Sequence, residues 1–122
     1  QVKRVRKVLV VDDNRDAADS LALVIKTKGH QVRAVYNGAA ALEEAASFLP
    51  DLVFMDIGMP GMDGYATCAS LRETPHGKGL QIVALSGWGQ ESDRQRSKEV
   101  GFALHLAKPA DLKVLMQVLD TP

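Results

Sequence analysis

Asp12 and Asp13 stand side by side at the end of the apolar run Val8-Leu-Val-Val11. A third acid, Asp56, closes a second run, Leu52-Val-Phe-Met55. A hydroxyl, Ser86, closes a third, Ile82-Val-Ala-Leu85, and Lys108 closes a fourth that starts at Phe102. Short, continuously apolar runs are the pattern of strands covered on both faces. In an open parallel sheet the carboxyl ends of the strands line the ligand crevice. Acids, a hydroxyl and an ammonium collected at such an edge would suit a hard divalent cation together with a phosphoryl group.

Three crowded carboxylates repel one another, and a bare cluster would raise its own pKa values. A divalent cation relieves the repulsion. Magnesium takes oxygen ligands and keeps several waters, so two carboxylates and one carbonyl are a natural protein share. Asp13 and Asp56 are the expected direct ligands, Asp12 is expected to act through water, and the backbone carbonyl of Gly58 is a candidate third oxygen. Asp56 can also serve as a nucleophile, because carboxylates form aspartyl-phosphates. Lys108 would neutralise charge on the transferring phosphoryl oxygens, and Ser86 could donate a hydrogen bond to the same group. Taken singly, Asp12-Asp13 reads as a turn and helix cap, Lys108 as a solvated lysine and Ser86 as a turn residue. Their recurrence at four strand ends outweighs those readings.

The elements that would position these residues alternate regularly. Strands are expected at Lys7–Val11, Gln31–Tyr36, Leu52–Met55, Ile82–Leu85 and Ala103–Leu106. Asn14 caps a helix to Lys28, with Ala17, Leu21, Val24 and Ile25 on one face and Gly29 as its stop. Asn37-Gly38 leads into an alanine-rich helix to about Phe48, before Pro50. Asp63 can cap a third helix over Tyr65–Arg72, Glu91–Val100 is helical by propensity, and Ala110–Leu119 is amphipathic. Strict alternation argues for an α/β fold, a parallel five-stranded sheet with helices on both faces. The flavodoxin-like order 2-1-3-4-5, a (βα)5 three-layer sandwich, makes strands one and three neighbours and brings Asp12, Asp13 and Asp56 together.

The length of 122 residues fits one domain, and 46% hydrophobic residues can build a sizeable core. Fifteen basic and fifteen acidic residues leave no net charge to favour nucleic acid. The locally basic stretch Lys3-Arg-Val-Arg-Lys7 reads as a solvated linker end, so residues 1–6 are expected to be a tail and 7–120 the domain. The lone Cys68 excludes an internal disulfide and reads as a small packing residue. No apolar run is long enough to cross a bilayer and no signal peptide is visible, so a cytoplasmic setting is expected. Because the chain begins with Gln1 rather than Met, it is expected to be a piece of something longer.

Val10-Val-Asp-Asp13, Met55-Asp-Ile-Gly-Met-Pro-Gly-Met-Asp-Gly64, Ala84-Leu-Ser-Gly87 and Ala107-Lys-Pro109 together resemble the receiver domain of two-component response regulators. The resemblance runs from about Lys7 to Leu119. It implies that Asp56 is the phosphoacceptor, charged from a phosphohistidine of a histidine kinase or histidine phosphotransfer domain. It implies Mg2+ (or Mn2+) at Asp12, Asp13, Asp56 and the Gly58 carbonyl, with Ser86 as switch hydroxyl and Lys108 pairing with the phosphoryl group. It further implies a cis bond before Pro109, and a surface of the fourth and fifth strand–helix units that switches on phosphorylation and could mediate a homodimer. Such a module catalyses only its own phosphorylation and dephosphorylation. A bacterial hybrid histidine kinase is the expected context, with a stand-alone regulator second.

Some residues depart from the pattern. His105 stands three residues before the lysine, where receivers usually carry Tyr or Phe, so it occupies the switch-aromatic position. Trp88 follows the switch serine and could shade the acyl-phosphate from water, pack on the loop or meet a partner. The polar segment Gln90–Val100 should form a weakly held helix. His30 and His76 fall in loops and are given no role. Two rivals stand beside the receiver reading. One is a Mg2+-dependent phosphatase with an aspartate nucleophile, of the haloacid dehalogenase type, which would carry that acid on strand one and a cap domain. The other is a pseudo-receiver that binds without phosphorylation. A flavodoxin-type cofactor binder is weaker, since an acid-lined edge repels a flavin phosphate.

Overall fold

The computed structural model describes residues 5–59, 61, 63–87, 98–108 and 111–120. The chain runs β1 (Lys7–Val11), α1 (Arg15–Thr27), β2 (Gln31–Val35), α2 (Gly38–Phe48), β3 (Leu52–Asp56), α3 (Gly64–Glu73), a short 3-10 turn (Pro75–Gly77), β4 (Gln81–Ser86), β5 (Leu104–Ala107) and a C-terminal helix (Leu112–Asp120). All five strands are parallel, in the order β2-β1-β3-β4-β5. The expected fold class and strand order are therefore observed, with boundaries shifted by a residue or two. Of the expected helix Glu91–Val100, Lys98–Val100 are helical and residues 91–97 lie outside the described residues.

Polar caps set the helix starts. Asn14, Asn37 and Asp63 each accept a backbone N–H three residues on, from Ala17, Ala40 and Ala66. That is the N-cap geometry, which satisfies one of the orphan donors of the first turn. Gly29, at φ +94°, turns the chain out of α1. At the end of α2 the left-handed position is filled not by glycine but by Leu49, at φ 54°.

Two apolar layers close on the sheet. Leu9, Val11, Val53 and Met55 pack with Ala41 and Ala45 of α2 and with Cys68 and Leu71 of α3. Val8, Val10, Leu52 and Phe54 pack with Ala18 and Ile25 of α1 and with Leu115, Val118 and Leu119 of the C-terminal helix. Alternate residues of β1 and β3 thus serve opposite layers, so β1 from Val8 onward and all of β3 are buried, which calls for continuous apolar sequence. Burial pushes the Cys68 thiol up to about 11, and its Sγ lies 3.3 Å from the Val100 carbonyl. These features agree with a packing role.

The edge of the sheet opposite the acids corrects the reading of Arg6 as part of a solvated tail. Arg6 is 2% exposed. Its Nε donates to Asp51 Oδ1 at 2.7 Å and its Nη2 to Gln81 Oε1 at 2.9 Å. Its Nη1 donates to the carbonyls of Val118 and Leu119, both at 3.2 Å. Its backbone N–H donates to His30 Nδ1 at 3.0 Å, so the buried His30 also has a structural place. One guanidinium thereby joins the entries of β3 and β4 to the last turn of the C-terminal helix, whose end carbonyls have no partners within the helix. Arg6→Met keeps the apolar stem and the backbone N–H to His30 but removes the guanidinium donors. Urea denaturation of that variant is expected to show a loss of about 2–4 kcal/mol. Hydrogen exchange should accelerate first at the end of the C-terminal helix.

Candidate functional site

The expected acids Asp12 and Asp56, with Ser86 and Lys108, sit where strands end. Asp12 directly follows β1, and its N–H donates to the Val35 carbonyl of β2 at 3.2 Å, which continues the ladder one step further. Asn14 then folds back, donating its N–H to Asp12 Oδ1 at 3.0 Å while its side chain caps α1. The start of α1 and the orientation of Asp12 are therefore set by the same residue. Asp56 is the last residue of β3, and Gly58 N–H donates to its Oδ1 at 3.0 Å. Ser86 ends β4 in register with Ala107 of β5, and its carbonyl accepts the Lys108 N–H at 2.8 Å.

These elements bring the charged groups together. Asp12, Asp13 and Asp56 each place a carboxylate oxygen within 4.8 Å of the others. Asp12 and Asp56 are each 3% exposed, whereas Asp13 is open to solvent. Lys108 Nζ lies 2.7 Å from Asp12 Oδ2 and 3.4 Å from Asp56 Oδ2. Burial pushes the Asp56 carboxyl up to about 6, helped by the neighbouring charge of Asp12 and opposed by the Gly58 N–H and Lys108. For Lys108, burial alone would lower the pKa, but the two carboxylates outweigh it and hold the ammonium above its usual range. One ammonium thus faces three carboxylates. The all-oxygen donor set and the uncompensated negative charge fit a hard divalent cation, and they would not suit a softer metal that prefers sulfur or imidazole.

Other expected site residues are placed differently or fall outside the description. His105 pairs with Ala84, so it lies on the sheet face of α2 and α3, away from the C-terminal helix. Trp88 and Pro109 lie outside the described residues. Gly64 has a role that its sequence context does not announce. A Cβ there would sit 2.5 Å from the Asp56 carbonyl oxygen and 2.6 Å from Ile57 Cα. The first turn of α3 can therefore press against the backbone of Asp56 only because residue 64 has no side chain.

Residues 8–120 match the family model described as response regulator receiver domain. The chain is 36% identical over 113 residues to the uncharacterized 14.6 kDa protein in the sodA1 3′ region of Leptolyngbya boryana, covering 93% of this chain and 86% of that one. It is 32% identical over 105 residues to the response regulator PleD of Caulobacter vibrioides, covering 86% of this chain but 23% of PleD. The solved chemotaxis protein CheY4 of Vibrio cholerae superposes with a TM-score of 0.86 at 27% identity, over 95% of this chain and 97% of that one.

The raised pKa of Asp56 has a consequence for stability. The folded protein holds this proton up to about pH 6, while a free aspartate loses it near 3.8. Between those values the folded state binds more protons than the unfolded chain, so this group's share of stability is full below pH 4 and lost as pH rises through 6. Without divalent cation at pH 7.5, Asp56→Asn is therefore expected to be more stable than the parent by about 1–3 kcal/mol. The gap should close as urea titrations are repeated toward pH 4. A gap independent of pH would contradict this origin.

Proposed function

The chain belongs to the response regulator receiver domain family of two-component signalling, and on that premise we propose that Asp56 is its phosphoacceptor. The donor in this reading is a phosphohistidine on a histidine kinase or histidine phosphotransfer domain. The observation that supports it most is the convergence of Asp12, Asp13 and Asp56 with Lys108 at one edge of the sheet. A carboxylate oxygen of Asp56 attacks phosphorus as the P–N bond breaks. The imidazole leaves neutral, keeping the proton on its other nitrogen.

The residues divide the work by chemistry. Asp13, Asp56 and the Gly58 carbonyl would hold Mg2+ (or Mn2+), with Asp12 acting through water. When bound, the cation supplies positive charge to the phosphoryl oxygens that no neutral side chain can match. Lys108, held on Asp12 and Asp56, moves its ammonium to a phosphoryl oxygen, and Ser86 donates its hydroxyl to another. His105, on the same sheet face as Ala84 and Ser86, would feel the movement of Ser86 through the β4–β5 pair. The surface of the fourth and fifth strand–helix units then changes, including any self-association through it. The folded unit in this reading runs from Arg6 to Asp120, and a hybrid histidine kinase is its proposed context.

Incubation with acetyl phosphate and Mg2+, followed by intact-mass measurement, tests the acceptor. One acid-labile phosphate adduct is expected on the parent and none on Asp56→Asn. An adduct that persists in the variant would move the acceptor elsewhere. Lys108→Ala should slow adduct formation by about 100-fold or more, the usual scale for loss of a group that stabilises transferring charge. Calorimetric titration should also show Mg2+ affinity falling as pH is lowered through about 6, because protons compete for Asp56.

A further inference from the structure

Beside the acid edge, α1 and the C-terminal helix do not close fully on each other. A cavity of about 450 Å3 remains between them, within the range of small-molecule sites. Its walls are Ser20, Leu21 and Val24 of α1, Leu85 of β4, and Leu112 and Leu115 of the C-terminal helix. The charged residues in its lining are Asp12 and Lys108, bonded to each other at 2.7 Å. Leu112 is half exposed, so the space is open toward solvent. We propose that this cleft binds an apolar primary amine, its hydrocarbon between α1 and the C-terminal helix and its ammonium against Asp12.

The lining of the cleft is apolar apart from Ser20 and the Asp12–Lys108 pair. Leu21 of α1 packs against the core layer, Val24 follows it one turn on, and Leu112 and Leu115 are one turn apart on the opposing helix. An apolar body placed there removes hydrocarbon on both helices from water. The sign of the head group follows from the charges. Lys108 is already shared between Asp12 and Asp56, and Asp13 adds a third carboxylate, so the polar end of the cleft is negative. An anionic head would meet an ammonium that two carboxylates already hold. A cationic head meets the unsatisfied charge, and Asp12 has acceptor capacity beyond its bonds to Lys108 and the Asn14 N–H.

This site does not depend on phosphoryl transfer and can be read without it. An amine and a divalent cation would draw on the same negative charge, so each should weaken the other by the same factor.

The test is an NMR titration of the 15N-labelled protein with 4-phenylbutylamine in metal-free buffer containing chelator. Saturable shifts are expected at Ala17, Leu21, Val24, Leu112 and Leu115, with Kd on the order of 1 mM, as ligand efficiency allows for so small a molecule. The neutral 4-phenylbutanol and the anionic 5-phenylpentanoate should bind about tenfold more weakly or worse. Ser20 is exposed, so Ser20→Trp should fold and fill the mouth of the cleft, abolishing the shifts. Leu23→Trp, at an exposed position outside the lining of the cleft, should leave them intact. Lys108→Met should tighten binding by removing the competing ammonium. No saturable shifts, shifts centred elsewhere, equal binding of the alcohol or the carboxylate, or indifference to Ser20→Trp would each overturn the proposal. The acetyl phosphate experiment would stand untouched by any of these.

Discussion

Charge buried at the end of a hydrocarbon sheet is the constraint that organises this protein. Val8–Val11 and Leu52–Met55 have no exposed surface at all, and the next residue along is Asp12 in one case and Asp56 in the other. A carboxylate so placed loses water and must find other partners. The Asn14 N–H supplies one for Asp12, the Gly58 N–H one for Asp56, and Lys108 serves both. The compensation is incomplete, which is why Asp56 holds its proton to about pH 6. That remaining deficit makes the edge receptive to added positive charge.

The strand order decides how the deficit is managed. β1 and β3 are neighbours, so their terminal acids meet. β5 is separated from β1 by β3 and β4, and Lys108 must lie across the ends of both to reach Asp12. A long, flexible ammonium can do this and still be released to another anion. At the opposite edge Arg6 has a different task. Its rigid fork of donors is used on fixed acceptors from several elements. Lys108 thus spans two carboxylates at the acid edge, while Arg6 is fixed on acceptors from several elements at the other.

Local signals were legible wherever the physics was local. Asn14, Asn37 and Asp63 could be assigned as turn or cap residues because an N-cap bond reaches only three residues along the chain. The continuously apolar strands could be recognised because burial on both faces suppresses alternation. Arg6 was misjudged for the complementary reason. Its partners are 45, 75 and more than 100 residues away, and a basic stretch near a terminus looks the same whether solvated or clamped. Leu49 was likewise unreadable as a left-handed cap, since glycine is the usual signal and the exposed leucine follows the helix for reasons the sequence pattern does not reveal.

By itself, then, the sequence determined the alternation of strands and helices, the class of sheet, and the identity of the groups gathered at its carboxyl edge. Those follow from periodicity and from residue type, which are properties of short segments. The tertiary structure alone decided that Lys108 leans on Asp12 more closely than on Asp56, that Gly64 must lack a side chain to let α3 approach Asp56, and that a cleft remains between α1 and the C-terminal helix. These depend on distances between segments far apart in the chain. No local pattern encodes such distances; they appear only once the elements are packed against one another.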